Sequence, residues 1–192
     1  VGRWAPDARE RLERAALDLF VERGYESTTV ADIAERAGLN RATFFRHFAD
    51  KREVVLAGED VLVALFADAV HDAPRSATVA ECVAAAVLAA DSVMTGHRRA
   101  VASRRIVVVA KNPELQERGQ LKLARVAASM AEALEDRGVD ALTSRFAAEV
   151  GLLAFRIAFE RWMRSDDGSS YRVHAEQALD ALRDRVPTIL GP

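Results

Sequence analysis

Cysteine is almost missing from this chain of 192 residues: Cys82 is alone, which rules out an internal disulfide and fits a reducing, cytoplasmic setting. Its apolar neighbours Val83 and Ala84 mark it as a small core residue. Aromatic residues are scarce, at 6%, which argues against sheet architectures that rely on aromatic and β-branched alternation. No apolar run approaches the roughly 18 residues of a membrane span; the richest, Val83 to Ala90, stops at Asp91. A secretory leader pattern is also lacking. Val1 rather than Met opens the chain, so part of a natural N-terminus is expected upstream. An excess of positive charge is missing as well. The formal net charge is -2, so any nucleic-acid role must rest on a local patch.

Catalytic signatures are lacking too. His47, His71, His97 and His174 are scattered, and there is no G-x-S-x-G, no phosphate-cradling glycine loop and no H-E-x-x-H. Asp68 and His71 have the i, i+3 spacing of a carboxylate–histidine metal pair. A di-iron bundle needs two Glu-x-x-His units, and neither exists. The expectation is a protein that is not an enzyme, with no cofactor and no metal.

What is present is helical. Ala, Val, Leu, Arg and Glu dominate, and half of the chain is hydrophobic. Caps and stops predict an all-α fold of about nine helices. Pro6 and Asp7 open the first, whose face is Leu12, Ala15, Ala16, Leu19 and Phe20, and Gly24 ends it. Thr29 and Asp32 form a capping box for a short second helix, Val30 to Ala37, closed by Gly38. Asn40 caps a third, Arg41 to Phe48, with Phe44 and Phe48 on its buried side. A long fourth runs from Lys51 to about His71, where Pro74 breaks the chain. The fifth opens at Thr78 to Glu81 and closes at Gly96, and the sixth covers His97 to Lys111. The seventh starts at Asn112-Pro113, with a bend or split at Gly119, and stops at Gly138. The eighth runs from Asp140 to about Arg164. The ninth runs from Tyr171 to Arg185 and is ended by Pro187.

A helix, a tight glycine turn and a second short helix are the elements of a helix-turn-helix. The second helix enters the major groove while the first crosses the backbone. Three features support DNA binding. The outward residues of the third helix are Arg41, Ala42, Thr43, Phe45 and Arg46, types that pair with guanine or touch a thymine methyl. Helix N-termini at Thr29, Asn40 and Lys51 suit phosphate. Between Arg36 and Arg52 the basic residues Arg36, Arg41, Arg46, Lys51 and Arg52 face one acid, Asp50, for a net +4. A protein-interaction bundle is the rival reading, and this basic run argues against it.

The segments Ala15-Ala16-Leu17-Asp18-Leu19-Phe20, Glu22-Arg23-Gly24-Tyr25, Thr28 to Ala34, Ala37-Gly38-Leu39, Thr43 to Phe48 and Lys51 closely resemble the N-terminal domain of the TetR (tetracycline-repressor-like) family, over residues 8–55. The resemblance implies three helices for DNA (residues 1–50) and six for ligand sensing and dimerisation (51–192). It implies that Thr29 contacts phosphate, that Arg41 and Thr43 face bases, and that His47 and Lys51 hold the backbone. Phe44 and Phe48 would set the recognition helix's angle. The sequence departs from the family at Asn40, where Ser or Thr is common, at Ala42 (Gly) and at Phe45 (Tyr). Those departures bear on which operator is read. The implied partners are a double-stranded DNA operator, a small-molecule effector and a second copy of the chain.

The run from Arg104 through Asn112-Pro113 to Gly138 resembles C-terminal domains of actinobacterial members that sense acyl-CoA or other hydrophobic ligands. The arginine bias agrees, since only three of the 27 basic residues are lysine. A ligand cavity is expected among helices five to eight, with candidate lining residues Leu88, Asp91, Met94, Arg105, Val109, Leu123, Val126, Met130, Phe155 and Phe159. Arg98, Arg99, Arg104 and Arg105 are candidates for an anionic group on the effector. The eighth helix carries Leu152, Leu153, Phe155, Ile157, Ala158, Phe159 and Trp162, apolar on more than one face, and so needs partners on two sides. With Ala175, Ala178, Leu179 and Leu182 of the ninth, it is the expected homodimer interface, giving a two-fold reader of a near-palindrome. Repression released by the effector is the expected outcome.

Overall fold

A computed structural model describes residues 7–57 and 59–191. The elements are α1 (Ala8–Arg23), α2 (Val30–Arg36), α3 (Arg41–His47), α4 (Lys51–Val55), α5 (Glu59–Asp72), α6 (Val79–Ala89), a 3-10 turn (Ala90–Ser92), α7 (Gly96–Ala110), α8 (Pro113–Asp136), α9 (Ala141–Arg164) and α10 (Tyr171–Leu190). The described residues contain no strand. None of their helices is long and apolar enough to cross a membrane.

The chain forms two compact units. One is drawn from the range 1–58 with 100–120, the other from 59–99 with 121–192. In the first, α1 lies against α2, α3 and α4. Leu12, Ala16, Leu19, Ile33, Phe44 and Val54 close its core, joined by Val108 and Leu115. Asp50 caps α4 by accepting the backbone N–H of Arg52 (2.8 Å) and Glu53 (3.0 Å). The Arg52 guanidinium bridges Asp50 at 2.6 Å and Glu114 at 2.8 Å, tying α4 to the start of α8. Burial pushes the Asp50 carboxyl up, but the bonds from Arg52 and from the two amides outweigh it, and the net shift is downward.

The second unit is layered through α5–α6, α6–α9 and α9–α10. Its centre is aromatic: Phe66 meets Phe155 edge-on at 5.5 Å, and Tyr171 packs between Phe155 and Trp162. The Tyr171 hydroxyl, fully buried, donates to the Val87 carbonyl at 3.3 Å. Gly151 makes room for the side chains of neighbouring helices, because a Cβ there would sit 3.0 Å from both Met130 Sδ and Val83 Cγ1. The Asp91 carboxylate accepts the backbone N–H of Arg172 at 2.9 Å, so a residue of the 3-10 turn caps α10.

Several predicted boundaries are corrected. Pro6 lies outside the described residues, and Asp7 precedes α1 without a side-chain cap bond. The predicted helix from Lys51 to His71 is two helices. Val54, Val55, Leu56 and Ala57 are all buried. Four consecutive residues on an α-helix fan around about 300° of its surface, so they cannot share one core. Leaving the helix after Val55 lets all four turn inward. Gly96 opens α7 instead of closing the preceding helix, because Thr95 serves as its cap: its hydroxyl accepts Arg98 N–H at 3.4 Å and its carbonyl Arg99 N–H at 2.9 Å. Helix α8 passes Gly119 unbroken, and α10 continues through Pro187 to Leu190.

Thr78 and Glu81 bond reciprocally at the start of α6. Thr78→Ala is expected to cost about 1 kcal/mol in urea unfolding, with Thr78→Ser near wild type. For Asp50, a lowered folded pKa means that its contribution is present above the unfolded carboxylate pKa and is lost as pH falls through the folded value. Thermal midpoints measured from pH 7 downward should fall below about pH 4. That decline should be shallower in Asp50→Asn, which keeps a capping oxygen but loses the ion pair.

Candidate nucleic-acid interface

Helix α2, the turn Ala37-Gly38-Leu39-Asn40 and α3 follow one another within 18 residues. Gly38 takes φ 65°, a left-handed conformation that β-carbon residues resist. Its N–H bonds Glu35 O at 2.9 Å and that of Leu39 bonds Ala34 O at 2.8 Å, closing α2 in a Schellman turn. A Cβ at Gly38 would also meet the Arg11 guanidinium at 3.0 Å. From α1, Arg11 donates to the carbonyls of Ala37 and Gly38, so a cation sits at the negative end of α2.

The start of α2 is a full capping box. Asp32 N–H bonds Thr29 Oγ1 at 3.2 Å, and Thr29 N–H bonds Asp32 Oδ2 at 2.8 Å. The Thr29 hydroxyl donates to the same carboxylate at 2.6 Å, and this bonding holds the Asp32 carboxyl below its ordinary range. Asn40 Oδ1 accepts Thr43 N–H at 2.8 Å and caps α3.

Phe44 on α3 is fully buried and Phe48, which follows the helix in an extended conformation, nearly so, with their rings 5.7 Å apart. Their burial turns Arg41, Ala42, Phe45 and Arg46 outward and leaves Thr43 and His47 half-buried. Phe45 is 50% exposed, its ring edge-on to Phe44. The Arg9 guanidinium lies 4.8 Å over the Phe48 ring and donates to the His47 carbonyl at 3.4 Å. His47 Nε2 is buried without a partner among the described residues.

The five basic side chains of the 36–52 stretch divide sharply. Arg36 is held by Glu22 in two bonds, 2.8 and 3.1 Å; the hydrogen bond raises the guanidinium's pKa further and lowers that of Glu22. Arg52 is held by Asp50 and Glu114. Lys51 turns inward onto the α1–α2 loop. Arg41 and Arg46 have no ion pair among the described residues. The usable positive charge is thus concentrated on α3, a division that pairing across 14 and 62 residues of sequence concealed.

The residues proposed for an effector separate into two groups. Leu88, Met94, Leu123, Val126, Met130, Phe155 and Phe159 are in or against the second unit's core. Asp91, in the same unit, is committed to α10. Val109 packs against the first core, and Arg105 of that unit pairs with Glu13. A cleft of about 310 Å³ that the sequence did not point to lies in the first unit, between the end of α1, residues 24–27 and the end of α7. The described residues hold no cluster of metal-ligating side chains.

Residues 13–57 match the family described as "Bacterial regulatory proteins, tetR family". Over 195 aligned residues the chain is 32% identical to the HTH-type transcriptional regulator TcmR of Streptomyces glaucescens, covering 93% of this chain and 84% of that protein. Among solved structures, a TetR-family transcriptional regulator from Syntrophomonas wolfei superimposes with a TM-score of 0.64 at 16% identity, covering 95% of both chains. The transcriptional regulator FadR from Bacillus subtilis, in complex with stearoyl-CoA, gives a TM-score of 0.58 at 17% identity, with 90% of this chain and 96% of that one covered. A helix-turn-helix that leaves two arginines exposed on α3, with matches along nearly the whole chain, leads to one conclusion: this chain belongs to the TetR family of bacterial transcriptional regulators.

Proposed function

We propose that the protein is a homodimeric repressor that binds a near-palindromic DNA operator through α3 and leaves it when a small, hydrophobic effector binds. The observation that carries this reading is the pair of exposed arginines, Arg41 and Arg46, without an ion pair among the described residues, on a helix whose other face is locked by Phe44. Arg41 and Thr43 read base edges, Ala42 meets a thymine methyl, and Arg46 with His47 faces phosphate. Thr29 and Asn40 present the N-termini of α2 and α3 to the backbone, and Phe45 packs on sugar. Residues 1–50 form the DNA-binding part and 51–192 the part that senses ligand and dimerises.

Dimerisation through α9 and α10 is supported by an uncovered apolar stripe. Leu142, Phe146, Val150 and Leu153 recur at helical spacing along α9 and are 64%, 65%, 41% and 45% exposed; Val173 of α10 is 41% exposed. Four large apolar side chains on one face are what a two-fold partner would cover. A hydrophobic effector agrees with the stearoyl-CoA held by the Bacillus FadR. Effector binding shifts the operator equilibrium only through its different affinity for the two states.

Selection of bound fragments from a random DNA pool tests the reading, and an enriched near-palindrome is the expected product. Arg41→Ala should lose about 1–3 kcal/mol on that site and relax base preference at one position per half-site. Unchanged selectivity would remove Arg41 from base reading. Phe146→Glu should convert the dimer to monomer in analytical ultracentrifugation while helicity is retained. A dimer that survives the charge would place the interface elsewhere.

A further inference from the structure

We propose that α9 carries a charge pattern complementary to a second copy of itself: two α9 helices pair antiparallel, with the two-fold axis passing between Leu152 and Leu153. Arg145, Glu149, Arg156 and Glu160 fix that register and select the chain's own copy as partner. The inference rests on the homodimer reading above and adds the register and the residues that choose the partner.

The exposed stripe of Leu142, Phe146, Val150 and Leu153 provides an apolar seam. Apolar contact is non-directional, so by itself it tolerates sliding. The charges beside the seam do not. All four are exposed, and none has an ion pair among the described residues. At about 100° per residue they fall on one side of Leu153 around the helix, from about 20° to about 80° away. Phe146, Val150 and Ile157 fall on the other side. A two-fold axis perpendicular to two antiparallel helices brings like flank to like flank. The charged flank of one copy therefore meets the charged flank of the other. A parallel pair would instead lay the charged flank on the apolar one.

The spacing is self-complementary about one point. Arg145 lies seven positions before Leu152, and Glu160 lies seven after Leu153. Glu149 lies three before Leu152, and Arg156 three after Leu153. With the axis between the two leucines, Arg145 faces Glu160 of the partner subunit, and Glu149 faces Arg156 of the partner subunit. Symmetry repeats both contacts, and Leu153 meets its own copy at the axis. A slide of four residues one way sets Arg145 against Arg156 of the partner subunit. The same slide the other way sets Glu149 against Glu160 of the partner subunit. A slide of seven opposes Glu149 or Arg156 to its own copy. Charges flanking an apolar seam set orientation and partner choice in paired helices, and like charges brought together exclude the wrong arrangements.

The test uses the full chain and needs no DNA. Sedimentation of the wild type should show a dimer; a monomer would sink the homodimer reading and this inference together. Arg145→Glu should weaken the dimer by about tenfold or more, because the new carboxylate faces Glu160 of the partner subunit at two symmetric places. Adding Glu160→Arg to that variant should return it to within about threefold of wild type, the signature of two side chains that face each other. Helicity should be unchanged, since both residues are exposed. Leu153→Cys should oxidise to a disulfide-linked dimer. Leu142→Cys should not, because its two copies would lie on the order of 30 Å apart along the helices. Cys82 is buried and can stay in place. Failure of Leu153→Cys to link, linkage through Leu142→Cys, or a dimer indifferent to Arg145→Glu would each overturn the register while the homodimer reading stood.

Discussion

The burial of Phe44 is the constraint on which the DNA-reading face depends. This ring is fully inaccessible in the core that α1 builds with Leu12, Ala16, Leu19 and Ile33. Because α3 has only seven residues, one buried anchor and its neighbour one turn on, Phe48, fix the rotation of the whole helix. Every outward residue then follows from a 100° step per position. A large apolar ring removed from water is worth several kcal/mol, far more than any surface contact that could rotate the helix otherwise. Nothing else in α3 is strong enough to orient it.

Around that anchor, electrostatics does a second kind of sorting. The segment from Arg36 to Arg52 is basic, yet three of its five cations are neutralised locally by groups from α1, the α1–α2 loop, α4 and the start of α8. Partly exposed ion pairs of this kind add little stability each. Their consequence is selective: they keep long, mobile charges off the reading face and leave positive potential on α3. The same economy appears at helix ends, where Arg11 serves α2 and Asp91 serves α10 from another element.

The second unit obeys different rules. Its interior is aromatic and closely packed, with Gly151 admitting Met130 and Val83 to contact distance. Its α9 is buried on one side by Ala148, Leu152, Phe155 and Trp162 and carries the stripe from Leu142 to Leu153 on another. A helix apolar on two faces is recognisable in sequence. Which face serves the chain's own core is settled only when α6 and α10 are laid against it.

Local features were readable along the chain, because they depend on neighbours three or four residues away. The capping boxes at Thr29 and Thr78, the Gly38 turn, the burial of Phe44 and Phe48, and the spans of α8 and α9 were all legible. So was the family, from a dense run of residues over 8–55. The tertiary structure alone decided whatever depends on burial against distant elements. Leu56 and Ala57 leave the helix because a core built by α1 draws them in, a demand no local propensity expresses. Asp91 is taken up by α10, and Arg105 and Val109 join the first unit, because partners 81 and 92 residues away claim the two charged groups. Lys51 reads locally as one more cation of a basic run. Only the folding of the α1–α2 loop beneath it brings the Tyr25 carbonyl and ring to its ammonium, since a charge goes where desolvated dipoles converge and sequence spacing does not record that convergence.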